Sequence, residues 1–279
     1  MHKLLKRTAE QILKDRLAAF PAVALLGPRQ SGKSTLAGMI LQPMGERALY
    51  LDLERPSDLR KLTDPETYLT HHRNRLICLD EIQKRPDLFQ VLRGIIDASD
   101  ASGRFLILGS ASPELLRQGS ETLAGRLAFV DLCPFQLGEV DDAGRLWARG
   151  GFPRSYLAAT DEESFVWRLD FIQTFLERDV PQMGLRLPAG VVRRLWQMLA
   201  HSQGQVLNSS KLGASLGLSH TTIRSYIDLL AAAFLVRVLA PWSGNLKKRL
   251  VRSPKVYVRD SGILHALLEL DAFDSISGH

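Results

Sequence analysis

Cysteine is scarce in this sequence: Cys78 and Cys133 are the only two in 279 residues. Two thiols cannot build a disulfide framework, and both sit in apolar, strand-like runs where a buried, reduced side chain is expected. Long hydrophobic runs are missing as well. No window approaches the ~18 apolar residues of a membrane span. The basic N-terminal segment, with Lys3, Lys6, Arg7, Lys14 and Arg16 beside Leu4, Leu5, Ile12 and Leu13, lacks the apolar centre of a signal peptide. These absences argue against disulfide-rich secreted and membrane-spanning classes and leave a cytoplasmic protein as the expectation. With 45% hydrophobic and 24% charged residues the composition is that of a globular chain, of a length for about two domains. The net charge of +6 fits a phosphate-bearing partner, provided the charge is localised.

One stretch organises the rest. Gly27-Pro28-Arg29-Gln30-Ser31-Gly32-Lys33-Ser34-Thr35 lies between the apolar run Ala22–Leu26 and a helical pattern that begins at Lys33. Two glycines flanking four residues let the backbone curl until its N–H groups face an anion, and the positive end of the following helix adds to the attraction. The stretch from Gly27 to Thr35 is thus a phosphate cradle. Lys33 is placed to reach the β- and γ-phosphates of a nucleotide, and the Ser34 hydroxyl to ligate Mg²⁺.

Further on, Arg75-Leu76-Ile77-Cys78-Leu79-Asp80-Glu81 is an apolar run that ends in two acids. A segment apolar on both faces suits a central strand of a parallel sheet, and ligands of such sheets bind beyond the carboxyl ends of the strands. There Asp80 would hold Mg²⁺ through its water shell and Glu81 would orient and activate the attacking water. A third strand ends at Gly109-Ser110. Ser110 is either a sensor of the γ-phosphate, if its strand lies beside the cradle strand, or an N-cap for a helix starting at Pro113. Arg126 precedes a last strand and is placed to face a neighbouring subunit.

In this order the cradle, Leu79-Asp80-Glu81-Ile82-Gln83, the strand ending at Ser110 and Leu123-Ala124-Gly125-Arg126 resemble the AAA+ ATPases. More narrowly, the chain resembles a prokaryotic group in which this domain precedes a domain of unknown function containing a winged helix. The resemblance implies ATP with Mg²⁺ as cofactors, ATP rather than GTP in keeping with the lack of a convincing Asn-Lys-x-Asp motif. It implies Ser110 as the first sensor, Arg126 as a finger donated across a ring interface with Arg117 as the alternative, and homo-oligomers up to a hexameric ring. Gly150-Gly151-Phe152-Pro153-Arg154 is similar to the Gly-x-Pro element by which related ATPases pack a helical lid on the base, giving Pro153 a cofactor contact; otherwise it is an interdomain turn. The group usually continues past the segment resembling Asp260-Ser261-Gly262-Ile263 into a nuclease-like domain, for which the residues up to His279 carry no motif.

From Val191 three short helical patterns follow, the second stopping at Gly217 and the third capped by Ser219. This is a helix-turn-helix signature. The third helix would turn His220, Thr221, Thr222, Arg224 and Ser225 outward and Ile223, Ile227, Leu229 and Leu230 inward. Val236–Leu239 and Lys255–Val258 read as a hairpin whose connection carries Lys247, Lys248, Arg249 and Arg252. Together they make a winged helix with Thr221, Thr222, Arg224 and the wing cations set against DNA phosphates. The expected architecture is therefore an α/β P-loop NTPase core of the AAA+ kind at 1–137, a small helical lid at 138–187 and a winged-helix DNA-binding domain at 188–279. The expected function is a Mg²⁺-dependent ATPase that oligomerises and binds or remodels DNA, branched DNA included. The competing reading is a slow regulatory switch whose winged helix binds an operator or a protein partner.

Overall fold

The computed structural model describes residues 4–99, 101–110, 121–183, 188–242, 253–271 and 273–277. The expected wing cations Lys247, Lys248, Arg249 and Arg252, and the alternative finger Arg117, lie outside the described residues. No helix among the described residues is long and apolar enough to cross a membrane. The chain divides into two compact units, Lys3–Cys133 and Pro134–His279.

The first unit is an all-parallel five-stranded sheet, β1 (Ala22–Gly27), β2 (Ala48–Asp52), β3 (Leu76–Asp80), β4 (Phe105–Ser110) and β5 (Leu127–Asp131), in the order β2-β3-β4-β1-β5. Strands β1 and β3 are buried at every position, as their apolar runs require of strands covered on both faces. On the edges the pattern relaxes: in β5 Ala128 and Val130 are buried while Phe129 and Asp131 are exposed. Because all five strands run the same way, the ends of β1, β3 and β4 come out on one edge. Gly27 pairs with Ser110, and Asp52 with Asp80. The helix Thr8–Ala19 buries Ala9, Leu13 and Leu17, while Ile12 on the same helix and Leu4 before it are exposed. Cys78 is buried in β3 as expected, whereas Cys133 lies two residues beyond β5 and is only half-buried.

The second unit has one core, gathered around Trp196, Phe152, Phe171, Phe175 and Ile223. It joins residues expected in a lid, such as Phe152 and Phe171, to residues of the three C-terminal helices Ala189–His201, Ser209–Leu216 and His220–Ala232. The antiparallel pair β6 (Val236–Leu239) and β7 (Lys255–Val258) follows at the expected residues. Within the long helical segment that starts at Asp161, Phe175–Asp179 widen into a π turn.

Candidate active site

The cradle begins where β1 ends. Gly27 is required by a close approach: a Cβ there would stand 2.2 Å from the Leu132 carbonyl oxygen. Gln30 (φ 63°) and Gly32 (φ 96°) take left-handed backbone, the kind of turn from which anion-binding nests are built. For Gln30 this conformation is uphill, and Glu81 (φ 58°) shares it. Two of the four non-glycine residues with positive φ among the described residues therefore sit at this one site, as strained backbone does at ligand clamps.

Inside the loop, Ser31 is completely buried and its hydroxyl has no hydrogen-bond partner. The helix Lys33–Leu41 opens on Gly32, which supplies no side-chain cap, so its positive end is offered to an anion. The Lys33 side chain is buried, and its Nζ donates to the carbonyls of Gly27 at 3.0 Å and Pro28 at 2.9 Å. Burial brings its pKa down to about 8, the nearby Glu81 and Asp80 opposing that fall and Arg29 adding to it.

Asp80 collects the donors opposite the loop. Its Oδ2 accepts from the Ser34 hydroxyl at 2.7 Å and from the Tyr50 hydroxyl, while Oδ1 accepts the Glu81 N–H at 2.9 Å. Tyr50 reaches it because β2 and β3 pair with Tyr50 opposite Cys78, which sets Tyr50 and Asp80 diagonally on one face. Burial first, and then the bond to Asp80, push Tyr50 ionisation well above its usual range, so the hydroxyl stays a donor. Glu81 is half-buried; burial and then Asp80 raise its pKa, against Lys33, Arg29 and Gln83, whose amide donates to Glu81 Oε2.

Residues 19–141 match the family model described as an AAA domain. The first unit has the fold of an AAA+-type P-loop NTPase. Residues 140–274 match a second model, described as a domain of unknown function, DUF8612. The uncharacterized proteins Mb2031c of Mycobacterium bovis and Rv2008c of Mycobacterium tuberculosis are each 46% identical over 268 residues. Those residues make up 95% of this chain but 60% of theirs, so the chain spans about three-fifths of their length. Among solved structures, the Walker-type ATPase paby2304 of Pyrococcus abyssi superposes with a TM-score of 0.61 at 12% identity, covering 95% of this chain and 96% of that one. At that identity the likeness speaks for the fold alone.

In this P-loop core the residues present fit a nucleotide phosphate and a divalent cation. The orphaned Ser31 hydroxyl and a lysine satisfied only by its own loop's carbonyls are donors in want of an anion. Ser34 and Asp80 are two hard oxygens already in contact, the donor set Mg²⁺ takes when phosphates and waters complete its shell. Ser110 is set beside the cradle by backbone pairing with Gly27; its side chain lies outside the described residues. Arg126 is elsewhere. It precedes β5, its carbonyl accepts from Ala22 N–H at the start of β1, and its guanidinium is paired with Asp97. With β1 six residues long, at ~3.3 Å per residue Arg126 stands about 20 Å along the sheet from its own chain's cradle.

Two residues of this core escaped sequence reading. Arg7, named above as one of the cations of the N-terminal segment, is buried; it donates to the carbonyl of Ser31 at 3.0 Å and to that of Cys133. It ties the cradle floor to the chain after β5. Tyr50 reads in sequence as an ordinary strand residue, and only strand register brings it to Asp80.

In the second unit, Pro153 is the first residue of the helix Pro153–Tyr156. The glycines before it are accounted for by a backbone junction. A Cβ on Gly150 would meet Asp260 Oδ1 at 2.1 Å, and one on Gly262 would meet the Arg149 carbonyl oxygen at 2.1 Å. Asp260, half-buried, accepts from Gly151 N–H at 2.7 Å and Ile263 N–H at 2.9 Å. Burial raises its pKa, and those N–H donors with Arg168 hold the rise in check. Arg168 donates to the carbonyls of Ala148 and Gly262 at 3.1 and 3.0 Å; burial lowers its pKa to about 10, with Asp260 and Asp161 opposing. On the helix His220–Ala232, capped by Ser219, His220, Thr221, Arg224 and Ser225 are exposed, Thr222 is half-buried, and Ile223, Tyr226, Ile227, Leu229 and Leu230 are buried. Asp228 is a further exposed residue on this helix.

Proposed function

We propose that this protein is a Mg²⁺-dependent ATPase that acts as a homo-oligomer and binds or remodels DNA through its second unit. The observation that carries the first part is the 2.7 Å contact of Ser34 with Asp80 at the mouth of a loop whose buried Ser31 hydroxyl lacks a partner. In that arrangement the loop N–H groups and Lys33 bind and orient the β- and γ-phosphates. Ser34 and Asp80 hold the cation, whose chemistry is to neutralise charge that develops on the phosphate oxygens. Glu81 takes the proton of the attacking water; its raised pKa moves it toward the range of an effective base near neutral pH, and Gln83 fixes one of its oxygens. Tyr50 and the Glu81 N–H keep Asp80 oriented. Arg126, too far from its own cradle, serves a neighbouring subunit's site, which is the reason for an oligomer.

The DNA part rests on charge. Residues 236–259 hold seven cations, Arg237, Lys247, Lys248, Arg249, Arg252, Lys255 and Arg259, and no acid. Without them the net charge of +6 becomes −1. Localised charge of this kind is the electrostatic footprint of phosphate binding. Three helices followed by an antiparallel pair support a winged helix, with Thr221, Thr222 and Arg224 on its presented helix.

The test is steady-state ATP hydrolysis with Mg²⁺, alone and with single-stranded, duplex and four-way DNA at two salt concentrations. The Glu81→Gln chain, expected to bind ATP and barely turn it over, is the control. Stimulation by one DNA form supports the coupled ATPase. ATP binding with no effect of any DNA on turnover favours the slow switch instead, since coupled sites must influence each other.

A further inference from the structure

The hairpin offers more than charge. β6 and β7 pair with Arg237 opposite Tyr257 and Leu239 opposite Lys255. Strand residues alternate between faces, so these four share one face and Val236, Val238, Val256 and Val258 share the other. Most of the valine face covers the core: Val236, Val256 and Val258 are buried, while Val238 is exposed. On the opposite face Arg237, Leu239 and Lys255 are exposed and Tyr257 is half-buried. Val206, bridged to Lys255, carries the exposed apolar surface further. Three residues past β6, Trp242 is 93% exposed, more than any other large apolar side chain among the described residues. An indole left in water forgoes the burial that other large apolar side chains gain, and here it stands in a 24-residue stretch with seven cations and no acid.

We infer that Trp242, with the exposed face of Arg237, Leu239 and Lys255, is a stacking platform for unpaired nucleobases, so that the preferred DNA is a single strand or carries unpaired bases. The inference rests on the DNA reading above and narrows it. A duplex offers phosphates to the cations but keeps its base faces stacked, leaving the indole nothing to cover. A single strand offers both: phosphates for Arg237 and Lys255 and a base face for Trp242, in the sequence-tolerant manner of aromatic stacking beside a cationic track. A protein partner matched to this stretch would need a strongly acidic surface carrying an apolar knob.

The experiment titrates the full chain with a labelled 20-nucleotide single strand and with the same sequence as a duplex, over a range of salt, following both anisotropy and tryptophan emission. The expected result is tighter binding of the single strand with quenching of emission. Trp242→Ala should weaken single-strand binding about tenfold at every salt concentration, leaving the salt slope and the duplex affinity as they were, while Trp242→Phe keeps most of the affinity. Lys255→Ala should instead lower the salt slope by about one. Wild-type affinity in Trp242→Ala, or emission unmoved at saturation, overturns the platform while leaving the DNA reading intact. Binding of neither DNA by the wild type overturns the DNA reading itself. A change of sedimentation in Trp242→Ala with DNA affinity preserved means a second copy covers the indole, and likewise overturns the platform.

Discussion

On the proposed role of Lys33, its depressed pKa should make ATP binding sensitive to pH in a range where a lysine ordinarily is not. Desolvation at the base of the loop is the largest cause, bringing the group from 10.5 to about 8 in the free protein. The ammonium form binds phosphate, so affinity is at its plateau below the free-protein pKa and falls as pH rises through it. At pH 7 about nine-tenths of free chains carry the charge and at pH 9 about one-tenth, so if the ATP complex keeps Lys33 protonated the dissociation constant rises about tenfold between them. A solvated lysine would give almost no change over that interval. The nucleotide contributes little, because its last phosphate proton leaves near pH 6. Calorimetric titration with ATP at fixed Mg²⁺, in two buffers of different ionisation enthalpy, reads both quantities: the tenfold loss, and uptake of about half a proton per ATP at pH 8. Lys33→Ala should bind weakly and show neither effect. Equal affinity at pH 7 and pH 9 with no proton uptake would refute the reasoning, because it would mean that the buried amine is not the group that meets the phosphates.

Three other perturbations bear on separate parts of the molecule. Tyr50→Phe removes one of two hydroxyl donors on Asp80 Oδ2 and should raise the Mg²⁺ concentration for half-maximal ATP binding about tenfold, a charged hydrogen bond contributing roughly 1.5–3 kcal/mol; an unchanged Mg²⁺ titration would show that Asp80 is held without it. Arg126→Ala should lower hydrolysis about a thousandfold with ATP binding intact, and mixing with Lys33→Ala chains should restore part of the activity; a variant that hydrolyses normally as a monomer removes the trans role. Gly262→Ala drives a methyl to 2.1 Å from the Arg149 carbonyl oxygen and should cost about 3 kcal/mol on overpacking grounds, read as a lowered denaturant midpoint; stability equal to wild type would mean that the Arg149–Gly262 junction opens freely.

Local chemistry was legible wherever the chain's own neighbours create it. The cradle from Gly27 to Ser34 needs only consecutive residues, and the apolar runs at Ala22–Leu26 and Leu76–Leu79 announce buried strands because both faces of a central parallel strand meet helices. Ser219 as a cap and the strands at 236–239 and 255–258 were readable for the same reason. The pairing of Ser34 with Asp80 was reachable by inference, since a parallel sheet sends its strand ends to one edge whatever the order of its strands.

What the sequence could not carry were contacts between residues far apart in the chain that no periodicity links. Arg7 looked like one of several N-terminal cations, yet folding buries it against the carbonyls of Ser31 and Cys133. Tyr50 joined Asp80 only once β2 and β3 had a register. Gly150 and Gly151 read as turn residues, and the tertiary structure shows why no side chain fits: Asp260 occupies the space beside Gly150 and the Phe135 backbone the space beside Gly151, as the Arg149 carbonyl does beside Gly262. Sequence by itself thus determined the kind of fold and the chemistry of the loop, because backbone propensity and burial pattern act over short spans. Tertiary structure alone decided which distant groups support that chemistry, since their contacts depend on strand register and on the meeting of backbones more than a hundred residues apart.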